Sequence, residues 1–203
     1  KVSKLYPEKK DAGDFEFEFS VMPLNLGIDF SGVRAYSNTD LVWNEINGIL
    51  RTTDVVSDGD IEKIISARQE NHNLHIKWEH QGDGKTHNFT VDSVQRTNKR
   101  EQIEVLWDGN VIGSDVKGSR TYELPALNEF TLMEYRIVQQ PEQYIMLQFS
   151  DPLKSNQFPD GLIYLNNKTR LKFTIEDNEI RIYPNVRQSG TLDLIIEPGI
   201  QNV

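Results

Sequence analysis

The chain has 203 residues, is 37% hydrophobic and 26% charged, and carries a formal net charge of −9. This composition is typical of a globular protein of one or two domains and argues against disorder, while the negative charge argues against a nucleic-acid partner. The chain contains no cysteine, which excludes disulfides, thiolate zinc sites, a cysteine nucleophile and an internal thioester.

The N-terminal segment predicts a half-buried β-strand. In "DFEFEFSVM" the acidic side chains of Glu16 and Glu18 point away from four alternating apolar ones: Phe15, Phe17, Phe19 and Val21. An apolar strand aggregates unless it is paired, so we expect this one to dock on a sheet. We interpret residues 1–22 as the closing strand of a preceding domain, and the missing initiator Met as the mark of a fragment or processed product. No apolar run reaches the roughly 20 residues of a membrane span, so we expect no membrane insertion by this segment.

The following segments predict a strand pair and one helix. "LVWNEINGILRTTDVV" has the apolar content of two strands broken near Asn47-Gly48. "SDGDIEKIISARQEN" has a capping Ser57 or Asp58, an acidic first turn and isoleucines at helical spacing: Ile61, Ile64 and Ile65. We therefore expect a short helix of two or three turns.

Two hairpins come next. "NLHIKWEHQ" and "THNFTVDSV" alternate around the turn Gly82–Lys85, with the following side chains inward: Leu74, Ile76, Trp78, Phe89 and Val91. "IEVLWDGNVIG" predicts a second hairpin that turns at Asp108-Gly109. The basic run "RTNKR" (96–100) between them is interpreted as a solvated loop.

The second part of the chain is a series of short strands. "LMEYRIVQQ", "YIMLQFSDPL", "GLIYL", "LKFTI", "EIRIYP" and "TLDLIIEPGI" are separated by turn residues. In "YIMLQFSDPL" we expect Ile145, Leu147 and Phe149 to face the core. Pro152 ends the strand because it cannot donate to the sheet. We predict an all-β protein with one short helix, divided into domains at 1–130 and 131–203, the second ending before its last strand.

Four histidines are the most concentrated chemistry in the chain: His72, His75, His80 and His87. A turn at Gly82–Lys85 places His80 opposite His87, close enough for two imidazoles to share a metal, with Asp83 as the third ligand. The alternative is a polar cap on the core, and we predict no metal, cofactor or catalytic site. An acidic cluster lacks EF-hand spacing and is interpreted as helix capping: Asp54, Asp58, Asp60 and Glu62. A Ser150-Asp151 catalytic pair has no nearby histidine to activate it.

Aromatic residues raise a second possibility for function. Trp43, Trp78 and Trp107, together with tyrosines, are numerous enough for a sugar-stacking platform on an open sheet face. Trp78 shares strand parity with Leu74 and Ile76, which favours burial in the core instead. Two or more coplanar rings on an open face would favour carbohydrate binding.

Three ordered motifs resemble bacterial immunoglobulin-like domains: "QFSDPL", "LKFTIEDNEIRIYP" and "SGTLDLIIEPGI". Longer stretches resemble the N-terminal region of Bacteroides-type alpha-2-macroglobulin-like proteins: "LVWNEINGILRTTDVVSDGDIEKIISA", "LHIKWEHQGDGKTHNFTVDSV" and "RIVQQPEQYIMLQFSDPL". The resemblance implies two tandem immunoglobulin-like or macroglobulin-type β-sandwich domains in an exported, periplasmic or outer-membrane-associated protein, often a lipoprotein, that traps proteases. No functional residue of that family maps onto this sequence.

The function expected from this resemblance is structural and non-enzymatic. The segment would pack against neighbouring domains of the same polypeptide, and would meet proteases only through the full-length protein. The alternative is a cell-surface adhesin or carbohydrate-binding module.

Overall fold

A computed structural model describes residues 17–21 and 23–203. Eight strands form in the first part of the chain: β1 (Leu26–Ser37), β2 (Asp40–Thr52), β3 (Ile65–Gln69), β4 (His72–Asn73), β5 (His75–His80), β6 (Thr86–Gln95), β7 (Glu101–Asp108) and β8 (Lys117–Leu124). Six follow: β9 (Leu132–Val138), β10 (Tyr144–Phe149), β11 (Ile163–Leu165), β12 (Leu171–Glu176), β13 (Glu179–Pro184) and β14 (Leu194–Ile196). The prediction of an all-β protein is confirmed.

The first eight strands form two four-stranded antiparallel sheets, ordered β1-β2-β6-β5 and β4-β3-β7-β8. Apolar side chains from both sheets enter one core, and six of them are completely buried: Ile46, Leu50, Val91, Val94, Ile103 and Val105. The alternating burial along β2 follows from the period of two in its sequence. This part of the chain is therefore a sandwich of two sheets around a shared core.

The later strands enclose a second core. A four-stranded sheet ordered β12-β13-β10-β9 lies beside the two-stranded sheet β11-β14. Leu147 and Phe149 of β10 enter this core with Ile163, Ile180 and Ile182, as the alternation in "YIMLQF" predicts. Residues of the first core end at Leu124, and those of the second begin at Phe130. The assignment of two domains with a boundary near 128–134 stays a prediction.

The prediction of a break at Asn47-Gly48 is wrong, because β2 runs without interruption through both residues. A glycine is required at position 48 because a side chain there would collide with its neighbours. A Cβ there would lie 2.3 Å from Cζ of Phe89 and 2.8 Å from the carbonyl oxygen of Asp29. The Phe89 ring crosses Gly48 to meet Phe30 edge-on, with ring centroids 5.6 Å apart.

The predicted helix is shorter than expected. A single helical turn, α1, covers Asp58–Ile61, and β3 begins at Ile65. Ser57 makes no side-chain bond to the backbone; its hydroxyl donates to Asp60 at 2.7 Å. Ile65, Ala67 and Gln69 are buried in alternation, so the core imposes a strand where the isoleucine spacing indicated a helix.

The first predicted hairpin is confirmed and the second needs correction. β5 pairs with β6, and His80 lies opposite His87. β7 also pairs with β8, but a one-turn 3₁₀ helix at Gly109–Ile112 lies in their connection, so Asp108-Gly109 is not a tight turn. Asp108 accepts a 2.9 Å hydrogen bond from the backbone N–H of Asn110.

The expected docking of the N-terminal strand is wrong for the residues that can be checked. Residues 17–21 form no strand, and the side chains of Phe17, Phe19 and Val21 are 82%, 76% and 78% exposed. Phe15, Glu16 and the rest of residues 1–16 lie outside the described residues. Within the described ranges, no helix is long and apolar enough to cross a membrane.

One polar cluster on the first sheet makes a pH-dependent contribution to stability. Asp92 of β6 accepts a hydrogen bond from the Tyr36 hydroxyl and pairs with Lys77 at 2.7 Å. The hydrogen bond from Lys77, followed by the one from Tyr36, lowers the pKa of Asp92. Because the folded-state pKa is depressed, this contribution is present above the unfolded pKa and is lost as pH falls through the folded pKa.

We therefore expect Asp92→Asn to lower the free energy of unfolding by about 1 kcal/mol near neutral pH. The difference should shrink toward zero in acid, as measured by urea unfolding across a pH series. Asp29→Asn is the control, because Asp29 forms an exposed pair with Arg51 and such pairs contribute little. A difference between Asp92→Asn and wild type that stays constant with pH would contradict this assignment.

Candidate functional site

The Ser150-Asp151 turn after β10 is a buried polar joint. Asp151 is 2% exposed and forms an ion pair with Arg96, which is 1% exposed. The same guanidinium donates hydrogen bonds to backbone carbonyls of Pro125 at 2.8 Å, Ala126 at 2.9 Å and Glu129 at 2.6 Å. The prediction that the run 96–100 is solvated is therefore wrong for Arg96. Its charge is neutralised and its donors are satisfied inside the protein.

Ser150 completes this turn. Its hydroxyl accepts from the backbone N–H of Thr131 at 3.1 Å and donates to the carbonyl oxygen of Glu129 at 3.3 Å. The second carboxylate oxygen of Asp151 accepts from the Asn202 side chain at 2.6 Å. Both side chains are engaged in structural bonds, and among the described residues neither contacts a histidine.

Side-chain amides tie the two cores together beside this joint. Gln148 donates to the carbonyl oxygens of Ser31 at 3.2 Å and Val33 at 3.1 Å. Asn178 donates to the same Val33 oxygen at 3.1 Å. These carbonyls are presented by a bulge in β1 at Gly32, where φ is +84° and a Cβ would lie 2.1 Å from the Gln148 side chain. Gln148 alternates with the core residues Leu147 and Phe149 and points away from that core, yet it is buried between the two parts of the chain.

The predicted pairing of two histidines is present at the end of the first sandwich. The Nδ1 atoms of His80 and His87 lie 2.8 Å apart. Asp58, and not Asp83, is the carboxylate beside them, with Oδ1 3.6 Å from His80 Nδ1. Asp83 instead accepts bonds from Lys85 N and Thr86 N, both at 2.9 Å, and so fixes the hairpin turn.

The two imidazoles have different environments. His87 is completely buried, and burial, followed by the proximity of His80, lowers its pKa. The His80 ring stacks on Trp78, with centroids 5.9 Å apart and planes 6° apart. On its other side, His80 Nε2 lies 3.3 Å from Oε1 of Glu62.

The remaining predicted residues lie elsewhere. His72 and His75 are exposed and outside the cluster. Asp60 pairs with Lys63 at 2.8 Å, and hydrogen bonds from Lys63 and then Ser57 lower its pKa. Asp54 lies 3.7 Å from Lys85. The acidic run is therefore divided between lysine pairs and the histidine cluster, a division that depends on where α1 packs.

The tryptophans do not form a common platform among the described residues. Trp107 packs against Phe30, and Trp78 lies between Phe89 and His80. Trp43 is 37% exposed. Within the same residues, the one contacting pair made of Trp or Tyr rings is Tyr144 and Tyr183, whose planes are inclined at 39° and so are not coplanar.

A groove of about 930 Å³ opens beside the second core. It lies between the edge of β9 and the β11-β14 sheet, and its wall includes Leu132, Tyr135, Ile137, Leu194 and Ile196. Tyr135 and Ile137 are 67% and 56% exposed. Polar side chains such as Gln143, Gln188 and Asp193 line the rest of the groove, so it is a mixed surface on which a partner could pack.

Comparison with known proteins does not assign this chain to a family. No family model matches the sequence, and no curated protein matches it. The resemblance to alpha-2-macroglobulin-like proteins therefore stays a prediction that depends on the motifs in the sequence itself.

Proposed function

We propose that this chain is a rigid, non-catalytic structural segment of an exported alpha-2-macroglobulin-like, protease-trapping protein. The observation that carries the proposal is the buried joint of Arg96 and Asp151. A protein that transmits a conformational change along a row of sandwiches needs fixed angles between successive units, and this joint supplies one. The motifs that resemble the family support the identity of the parent protein.

The bonds of the joint favour one relative orientation of the two cores, and do more than hold them in contact. A buried ion pair adds little net stability compared with apolar residues of equal volume, but it is satisfied in only one geometry. Arg96 bonds to Asp151 and to the carbonyls of 125, 126 and 129. Gln148 and Asn178 add directional bonds to β1. Together these contacts oppose rotation of one core against the other.

The groove beside β9 supports the second part of the proposal, packing against a neighbouring domain of the same polypeptide. Its exposed isoleucine and tyrosine lie on an edge strand, where unpaired backbone groups also invite a partner. Proteases, in this proposal, are met only by the full-length protein. The engagement of Ser150 and Asp151 in structural bonds supports a non-enzymatic role.

The rigidity of the joint can be measured directly because the chain has no native cysteine. Spin labels at Glu79→Cys and Lys172→Cys, one exposed site beside each core, should give a single narrow distance distribution by double electron–electron resonance. The same pair in an Asp151→Ala background should give a broader one. A broad distribution with the joint intact would contradict a rigid segment.

The isolated chain should neither hydrolyse peptide substrates nor inhibit trypsin at stoichiometric ratio. Inhibition at equimolar concentration would contradict the structural role. The parent protein is tested by the complete reading frame, in which we expect further β-sandwich domains and a downstream bait or thioester region. A reading frame that ends near Val203 would contradict the proposed parent and leave the rigidity measurement intact.

A further inference from the structure

We propose that His80, His87 and Asp58 form a binding site for a divalent transition-metal ion of the Zn²⁺ class. The site is independent of the proposed structural function. Its three ligand groups come from β5, from β6 and from the start of α1. One ligand atom from each lies within 4.8 Å of the other two.

Two of the three separations are close to those around a tetrahedral ion. Ligand atoms at 2.0–2.1 Å from zinc lie about 3.3 Å from one another. The two Nδ1 atoms are 2.8 Å apart, and Asp58 Oδ1 is 3.6 Å from His80 Nδ1. The rings therefore need to part by only about half an ångström to admit the ion. Asp58 is exposed enough to adjust, because its side chain is 62% accessible.

Glu62 sets the tautomer that a metal ligand needs. A carboxylate only accepts hydrogen bonds, so the 3.3 Å contact places the proton of His80 on Nε2. The lone pair of His80 then lies on Nδ1 and points at His87. An outer carboxylate that orients a ligating histidine in this way is a regular feature of zinc sites.

His80 provides the polar contact of the His87 ring. The ring of His87 is completely buried, and among the described residues its Nε2 has no hydrogen-bond partner, so the polar contact of this imidazole is the one through Nδ1. Both histidines occupy facing positions in a hairpin whose turn is fixed by Asp83. The site is thus pre-formed on the strand side and open to solvent at Asp58, which leaves room for a water as fourth ligand.

The donor set defines the class of ion. Two imidazole nitrogens and one carboxylate oxygen favour zinc and its neighbours, whereas calcium and magnesium prefer six or more oxygens. Mg²⁺ and Ca²⁺ should therefore not compete.

The test is calorimetric titration of the tag-free chain with Zn²⁺ alone, and with Co²⁺ as a spectroscopic probe. We expect one equivalent bound, a visible absorption band typical of tetrahedral Co²⁺, and a rise in the melting temperature with metal concentration. Asp58→Ala and His80→Gln should each weaken binding at least about tenfold, and Glu62→Gln by about 10- to 100-fold. His72→Ala, which removes an exposed histidine outside the cluster, should bind as wild type does.

These variants are chosen because His87 is fully buried, so its replacement would disturb the packing of the core as well as the metal ligands. Asp58 and Glu62 are exposed, so their variants should keep the wild-type circular dichroism spectrum. Absence of saturable Zn²⁺ binding by the wild type would overturn the site. Unchanged affinity in Asp58→Ala and His80→Gln would overturn it as well, since the ion would then be bound elsewhere.

Discussion

Replacing Asp151 with alanine should lower the free energy of unfolding by about 3–5 kcal/mol. The substitution leaves the Arg96 guanidinium buried without its counter-charge, since Arg96 is 1% exposed and cannot reach water from its place among the carbonyls. Asn202 loses its acceptor in the same step. Chemical denaturation monitored by tryptophan fluorescence would measure the loss.

Two comparisons separate this effect from simple truncation. Asp29→Ala removes one partner of an exposed ion pair and should cost less than about 1 kcal/mol. The double variant Arg96→Met/Asp151→Leu removes both charges and should be more stable than Asp151→Ala. A loss below about 1 kcal/mol for Asp151→Ala would show that the pair is open to solvent.

Replacing Gly48 with valine should destabilise the first sandwich by about 3 kcal/mol, the upper part of the usual range for overpacking. The new Cβ would meet Cζ of Phe89 at 2.3 Å and the carbonyl oxygen of Asp29 at 2.8 Å. Neither can move freely. Phe89 is 2% exposed and in edge contact with Phe30, and the Asp29 oxygen belongs to the adjacent strand.

Gly27→Val is the matched control, because Gly27 lies in the neighbouring strand and a Cβ added there would have nothing within 4 Å. Valine at this position should be neutral or slightly stabilising, since it favours the extended backbone more than glycine does. Urea midpoints of both variants, measured together, give the comparison. Equal stability of the two would mean that Phe89 does not cross β2 at Gly48.

The strand pattern could be predicted because burial on one face of a sheet leaves a period of two in the sequence. That signal located β5, β6, β10, β12 and β13, and the turn at Gly82–Lys85 fixed the register that pairs His80 with His87. A local sequence pattern does not distinguish helix from strand where its apolar spacing fits both. Isoleucines at 61, 64 and 65 fit a helix, and the competing strand prevailed because Ile65 and Ala67 lie opposite β7 in the core.

The candidate sites depended on contacts that no local pattern contains. Asp58 and His80 are far apart in the chain, and only the packing of α1 against the hairpin places them 3.6 Å from each other. Arg96 looks like any arginine in a basic run, yet the fold buries it. Its partner is 55 residues further along the chain.

What the sequence determined by itself is the β class, the positions of strands such as β5, β6, β10, β12 and β13, and the facing histidine pair, because each follows from the direction of side chains along a single strand or hairpin. The tertiary structure alone decided three features. The Phe89 ring packs over Gly48, Asp58 completes the histidine cluster, and Ser150-Asp151 connects the two cores through Arg96. Those features depend on volume, charge and distance between segments that meet only when the sheets pack.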